Sequence, residues 1–158
     1  MTGEHTIAAV ASAALVLGLA LGASSALAQV ASIQSQDTNT PGFTADLIEA
    51  KRGDGVLSIK VRLTNTGKAA SKVSIRDTRN YDKFYVQAEG KKYFVLRDTE
   101  KVPIAAAGDG SGTLDPKVAP GASFTWWAKY PAPPASVKKI SFYWPLGAPF
   151  DDVPMTDK

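Results

Sequence analysis

The clearest pattern in the chain is an alternation over residues 56–64. Leu57, Ile59, Val61 and Leu63 are apolar, whereas Ser58, Lys60, Arg62 and Thr64 are polar. Successive side chains of a strand point to opposite faces, so a period of two predicts a strand with one face buried and one in water. Arg52-Gly53-Asp54-Gly55 precedes it as a tight-turn signal, and residues 43–50 lie before that turn, which predicts a hairpin. Asn65-Thr66-Gly67 turns the chain again, and Val73 and Ile75 between Lys72 and Arg76 predict a third strand. Residues 84–88 and 92–97 flank Glu89-Gly90, a second hairpin signature whose glycine suits a positive φ. A short apolar segment at 102–106 leads into the glycine-rich loop 108–112. Strand patterns resume at 123–130 and 139–144, on either side of Pro131-Ala132-Pro133-Pro134-Ala135. Prolines donate no backbone hydrogen bond, so this stretch is expected to cross between sheets rather than sit inside one. Phe150 and Val153, bracketed by Pro149 and Pro154, are expected to pack down and close one end of the core.

The count is seven or eight strands, with no helical period after the first 28 residues. Closely spaced strands with turn signals between them predict an all-β, antiparallel, immunoglobulin-like β-sandwich, with a closed barrel as the alternative. The amino terminus is different. No charged side chain occurs over residues 6–36, and residues 7–21 are almost continuously Ala, Val, Leu and Ile. Ala26 and Ala28 place small residues at the two positions a signal peptidase reads for a cut after Ala28. Residues 1–28 are therefore expected to be a signal peptide forming a helix, with an uncleaved membrane anchor as the alternative. Residues 29–42, rich in Ser, Thr, Gln and Asn, are expected to be a flexible lead-in, and residues 43–158 the folded domain.

Composition then removes whole classes of chemistry. The 158-residue chain contains no cysteine, and its single histidine, His5, lies in the leader. Disulfide staples, acyl anchors, cysteine nucleophiles, Ser-His-Asp triads and imidazole metal sites are excluded in the mature domain. Asp151 and Asp152 are adjacent, so in an extended chain they point to opposite sides and cannot oppose each other across a sugar. The loop 109–115 alternates oxygen-bearing side chains, yet Leu114 and Pro120 stand where a calcium loop needs glycine and glutamate. No catalytic residue, metal ligand or cofactor site is expected. Residues 1–28 hold one acid, Glu4, and no Lys or Arg, so removing them raises the net charge from +3 to +4. Lysine and arginine occur only singly or in pairs, which argues against a nucleic-acid partner.

The aromatic residues supply the candidate site. In the strand at 123–130, Phe124, Trp126, Ala128 and Tyr130 share one face and Thr125, Trp127 and Lys129 the other. In the strand at 139–144, Ile140, Phe142 and Trp144 face inward and Lys139, Ser141 and Tyr143 outward. If the two strands are neighbours, Trp127 and Tyr143 form an exposed aromatic pair rimmed by Lys129 and Lys139. Flat apolar faces with a cationic rim suit a sugar ring or a partner protein.

Several stretches together carry a resemblance. They are Leu63-Thr64-Asn65-Thr66-Gly67, Val118-Ala119-Pro120-Gly121-Ala122-Ser123-Phe124, the segment from Trp127 to Ala135, and Pro149-Phe150-Asp151-Asp152-Val153-Pro154. Over residues 43–155 the chain resembles small exported bacterial immunoglobulin-like domains of the mycobacterial secreted immunoprotective antigen type. The resemblance implies a non-enzymatic domain and carries no catalytic residue. The expectation is a monomeric, secreted or periplasmic binding or adhesion module whose partner is an envelope protein or polysaccharide. The alternative is a structural or assembly module of an envelope complex. Contact with a membrane is expected only through a retained leader.

Overall fold

The computed structural model describes residues 30–158, so the expected leader lies outside the described residues. Within them every regular element is a strand. β1 (Gln34–Asp37), β2 (Phe43–Gly53) and β3 (Val56–Asn65) follow one another as antiparallel neighbours. Two short pieces come next, β4 (Ser71–Lys72) and β5 (Ile75–Arg76), and then a hairpin of β6 (Tyr85–Ala88) and β7 (Lys91–Phe94). β8 (Thr113–Leu114) returns to β5, and β9 (Lys117–Val118) to β4. The chain finishes with β10 (Ser123–Pro131), β11 (Lys139–Tyr143), β12 (Phe150–Pro154) and β13 (Thr156–Asp157).

The expected hairpins form where the turn residues permit them. Asp54 and Gly55 have φ of 53° and 75°, and Glu89 and Gly90 have φ of 48° and 74°. Two central residues at positive φ match the right-handed twist of the flanking strands, as a type I′ turn does. Along β3 the alternation is realised fully: Leu57, Ile59, Val61 and Leu63 are completely buried and their polar neighbours face out. β2 keeps its own faces in order by a bulge between Leu47 and Glu49. The extra residue re-aims Glu49 so that it meets Lys60 outside instead of entering the core.

The long strands form two separate sheets. One has the order β1-β2-β3-β10, with β13 parallel to β2 beyond β1, and the other the order β12-β11-β6-β7. Their inner faces share one core, centred on Trp126 of β10. That indole stacks on Phe84 at 5.0 Å and on Phe142 of β11 at 5.6 Å. Phe142 in turn stacks on Phe150 at 6.3 Å, and Phe150 and Val153 of β12 are buried as the terminal pattern requires.

The proline-rich stretch does cross from one sheet to the other, and a buried arginine holds it. Arg52 of β2, 8% exposed, donates from Nη1 to the carbonyls of Pro133, Pro134 and Val137 at 3.2, 2.6 and 3.1 Å. Its Nε donates to Asp157 of β13 at 2.7 Å. That bond, with the guanidinium charge, holds the Asp157 carboxyl below the usual carboxylate range, and the same bond, with the carboxylate charge, raises the Arg52 pKa further. One side chain therefore ties the crossover and the last strand to β2.

Two sequence expectations change. Part of the lead-in is β1, an edge strand held by hydrogen bonding rather than burial: Ser35 donates to Asp46 at 2.5 Å and Gln36 to the Ala148 carbonyl at 2.6 Å. Polar composition hid it because an edge strand with few apolar residues leaves no alternating signal. The third expected strand divides into β4 and β5, although Val73 and Ile75 are both fully buried.

Candidate functional site

The two tryptophan- and tyrosine-bearing strands of the expected patch are not neighbours. β10 lies in the first sheet beside β3, and β11 in the second between β12 and β6. Both Trp127 and Tyr143 face outward as the alternation predicts, but from different sheets, so they do not form a pair. Inside/outside periodicity says which face a residue takes and nothing about which strand lies beside it. Lys139 goes with Tyr143 and forms an exposed ion pair with Asp152 at 3.7 Å. Lys129 goes with Trp127.

On the first sheet the register sets the outward residues in rows. Gly53, Val56 and Pro131 form one row, Lys51, Ser58 and Lys129 the next, and Glu49, Lys60 and Trp127 the third. Rows two residues apart along a strand are separated by about 6.8 Å. Over these rows lies an open cleft of about 500 Å³ between Glu49, Val56, Leu96, Ile104, Lys129 and Lys158. A smaller depression of about 240 Å³ beside Trp127 and Lys60 shares Ser58 and Lys129 with it. Trp127 is 37% exposed, one of the few large apolar side chains open to solvent.

The charges around the cleft divide into two kinds. Lys60 pairs with Glu49 at 2.9 Å, and Lys158 with Asp54 at 2.7 Å. Lys129 instead donates to the Ser58 hydroxyl directly across the strand pair. Among the described residues no carboxylate lies within ion-pair distance of Lys51 or Lys129. The far wall is closed by main chain: the amides of Leu96 and Ala106 donate to the carbonyls of Lys129 and Trp127, and the Lys129 amide donates to Ile104. The outer edge of β10 is thus already occupied over these residues.

The second sheet carries a different feature on its outer face. Tyr143, Tyr85 and Phe94 lie side by side on β11, β6 and β7. Tyr85 and Tyr143 are nearly parallel, 9° apart, with centroids at 4.7 Å. Rings lying flat on a sheet would collide at that spacing, so the two stand upright and overlap face to face. Lys92 sits over Tyr85 at 4.4 Å, and Phe94, 49% exposed, leans against it at 6.0 Å. One face of each tyrosine is spent on the other, and the Lys92 ammonium also sits over the Tyr85 ring.

Of the four expected contact residues, the structure brings Trp127 and Lys129 together and separates Tyr143 and Lys139 from them. Ser58 and Lys51 also line the cleft, and Lys60 the adjoining depression; none of the three is among the expected contact residues. Ser58 and Lys60 were legible as the outward half of the β3 alternation; what the sequence lacks is the register that puts them opposite Lys129 and Trp127. No family model matches the chain, and no curated protein is significantly similar to it.

Proposed function

We propose that this chain is an exported, non-catalytic binding domain of the immunoglobulin-like β-sandwich type, acting at the cell envelope through the outer face of its β1-β2-β3-β10 sheet. The single observation that carries the reading is the depression adjoining the cleft, in which Trp127 stands beside Lys129, Lys60 and Ser58. An exposed indole next to ammonium and hydroxyl donors offers both apolar area and directional polar contacts, the combination found in small ligand sites. The apolar leader supports export, and two sheets closing on one core support the sandwich. The lack of cysteine, and of histidine outside the leader, supports a non-enzymatic role. The small exported immunoglobulin-like domains that the sequence resembles fit the same description.

The test is titration of the purified protein with envelope polysaccharides and lipid vesicles, following tryptophan emission. Binding that shifts emission in the native chain and is lost in Trp127→Ala supports the reading; ligand binding insensitive to that substitution moves the site elsewhere. A second reading, an assembly module, rests on the half-exposed Phe94 beside Tyr85. It predicts self-association or a co-purifying partner on size exclusion, abolished by Phe94→Ser.

A further inference from the structure

Of the three lysines that line the cleft, Lys158 is already neutralised by Asp54, as Lys60 of the adjoining depression is by Glu49. The other two, Lys51 and Lys129, occupy one row on either side of Ser58 and meet no carboxylate among the described residues. An occupant of this row is therefore favoured if it brings negative charge, because an ammonium pairs better with a carboxylate than with a neutral hydroxyl. One row away stands the exposed indole of Trp127, with the depression beside it. Apolar contact and ammonium contact are thus separated by about 6.8 Å along the strands, within the span of one or two linked sugar units.

The flanks of the cleft discriminate against a peptide. An extended peptide gains affinity by adding to a free sheet edge, where main-chain amides and carbonyls are available. Beside the cleft the edge of β10 is paired with Leu96, Ile104 and Ala106. The donors that remain are side-chain ammonium and hydroxyl groups on an open surface, suited to a polymer rich in hydroxyls and carboxylates. We propose, building on the reading of this face as the binding site, that the cleft holds an acidic polysaccharide. A sugar ring packs against Trp127 and its carboxylates meet Lys129 and Lys51.

The full chain is titrated with polygalacturonate, with its methyl-esterified neutral form and with polyglutamate. Polygalacturonate is expected to bind with an affinity that falls as salt is raised, and the esterified polymer to bind at least about tenfold more weakly. Lys129→Met is expected to remove most of that preference, and Lys51→Met, at an exposed position, part of it. Tyr85→Ala on the opposite sheet is expected to leave both polymers unaffected. Equal binding of the acidic and esterified polymers, still sensitive to Trp127→Ala, overturns the charge assignment while leaving this face as the binding site. Tighter binding of polyglutamate overturns it in favour of an acidic protein partner. If neither polysaccharide binds, this inference falls, and the binding-face reading falls with it only if envelope glycans and vesicles also leave Trp127 emission unchanged.

Discussion

Trp126 and Trp127 are consecutive on β10 and have opposite fates: the first is 1% exposed at the centre of the core, the second 37% exposed beside the cleft. Strand geometry makes that division, since neighbouring side chains leave the backbone on opposite faces. Trp126→Ala is expected to cost about 3–5 kcal/mol, the range for removing a buried aromatic side chain. Trp127→Ala is expected to cost less than about 1 kcal/mol, as for other surface changes. Urea unfolding midpoints at constant slope measure both. Iodide quenching gives a second reading, because Trp144 is also buried and Trp127→Phe should remove nearly all of the quenchable emission.

Arg52 predicts a large loss from a single polar substitution. Arg52→Met retains much of the stem and removes the donors to Pro133, Pro134, Val137 and Asp157. Stranding these acceptors is expected to cost about 3 kcal/mol in the same denaturation assay. Asp157→Asn is expected to cost under about 1 kcal/mol, since the Asp157 side chain is 60% exposed and its pairing is screened by water.

Stability is expected to fall at both ends of the pH scale for different reasons. The Asp157 carboxyl is lowered by its bond to Arg52, so its contribution is present above the ordinary aspartate value and is lost as pH falls through the depressed one. The protection factor of the Lys158 amide, which donates to the Arg52 carbonyl, should fall in acid before those of the core do. Tyr130 is fully buried and its hydroxyl has no hydrogen-bond partner among the described residues, so burial raises its pKa well above 10.0; burial raises Tyr81 as well. A raised pKa leaves stability unaffected below pH 10.0 and withdraws it as pH climbs towards the folded value. Tyrosinate absorbance from Tyr130 and Tyr81 should therefore appear only together with unfolding.

The β6–β7 turn offers a stabilising change. Glu89 occupies φ 48°, a left-handed conformation that asparagine tolerates better than glutamate. Glu89→Asn creates an Asn-Gly turn and is expected to add about 0.5 kcal/mol. Gly90 has φ 74° and open space where a Cβ would go, so Gly90→Ala is expected to cost about 1 kcal/mol through backbone strain alone. Thermal unfolding of the two variants checks the signs.

Local features of the fold were legible because they are written at short range. The β3 alternation, the Asp54-Gly55 and Glu89-Gly90 turns and the inward set of Trp126, Phe142 and Phe150 depend on residues a few positions apart. Pairing across sequence distance was not legible. Residues 123–131 join β3, some 60 residues earlier, while β11 joins β6, and nothing in either strand's own pattern states that choice. The candidate patch failed at this step: the outward direction of Trp127 and Tyr143 was readable, and their neighbours were not. β1 escaped notice because Gln34–Asp37 contains no apolar residue, and the Glu49 bulge because an extra residue breaks the period that would reveal it.

The guanidinium of Arg52 also bears on where such a domain can operate. It fastens the proline crossover and the final strand to β2 in a chain that contains no cysteine at all. A disulfide doing that task would open under thiol reductants and would need an oxidising catalyst to form. This closure needs neither: with no cysteine in the chain, it forms without an oxidising step and does not open under thiol reductants.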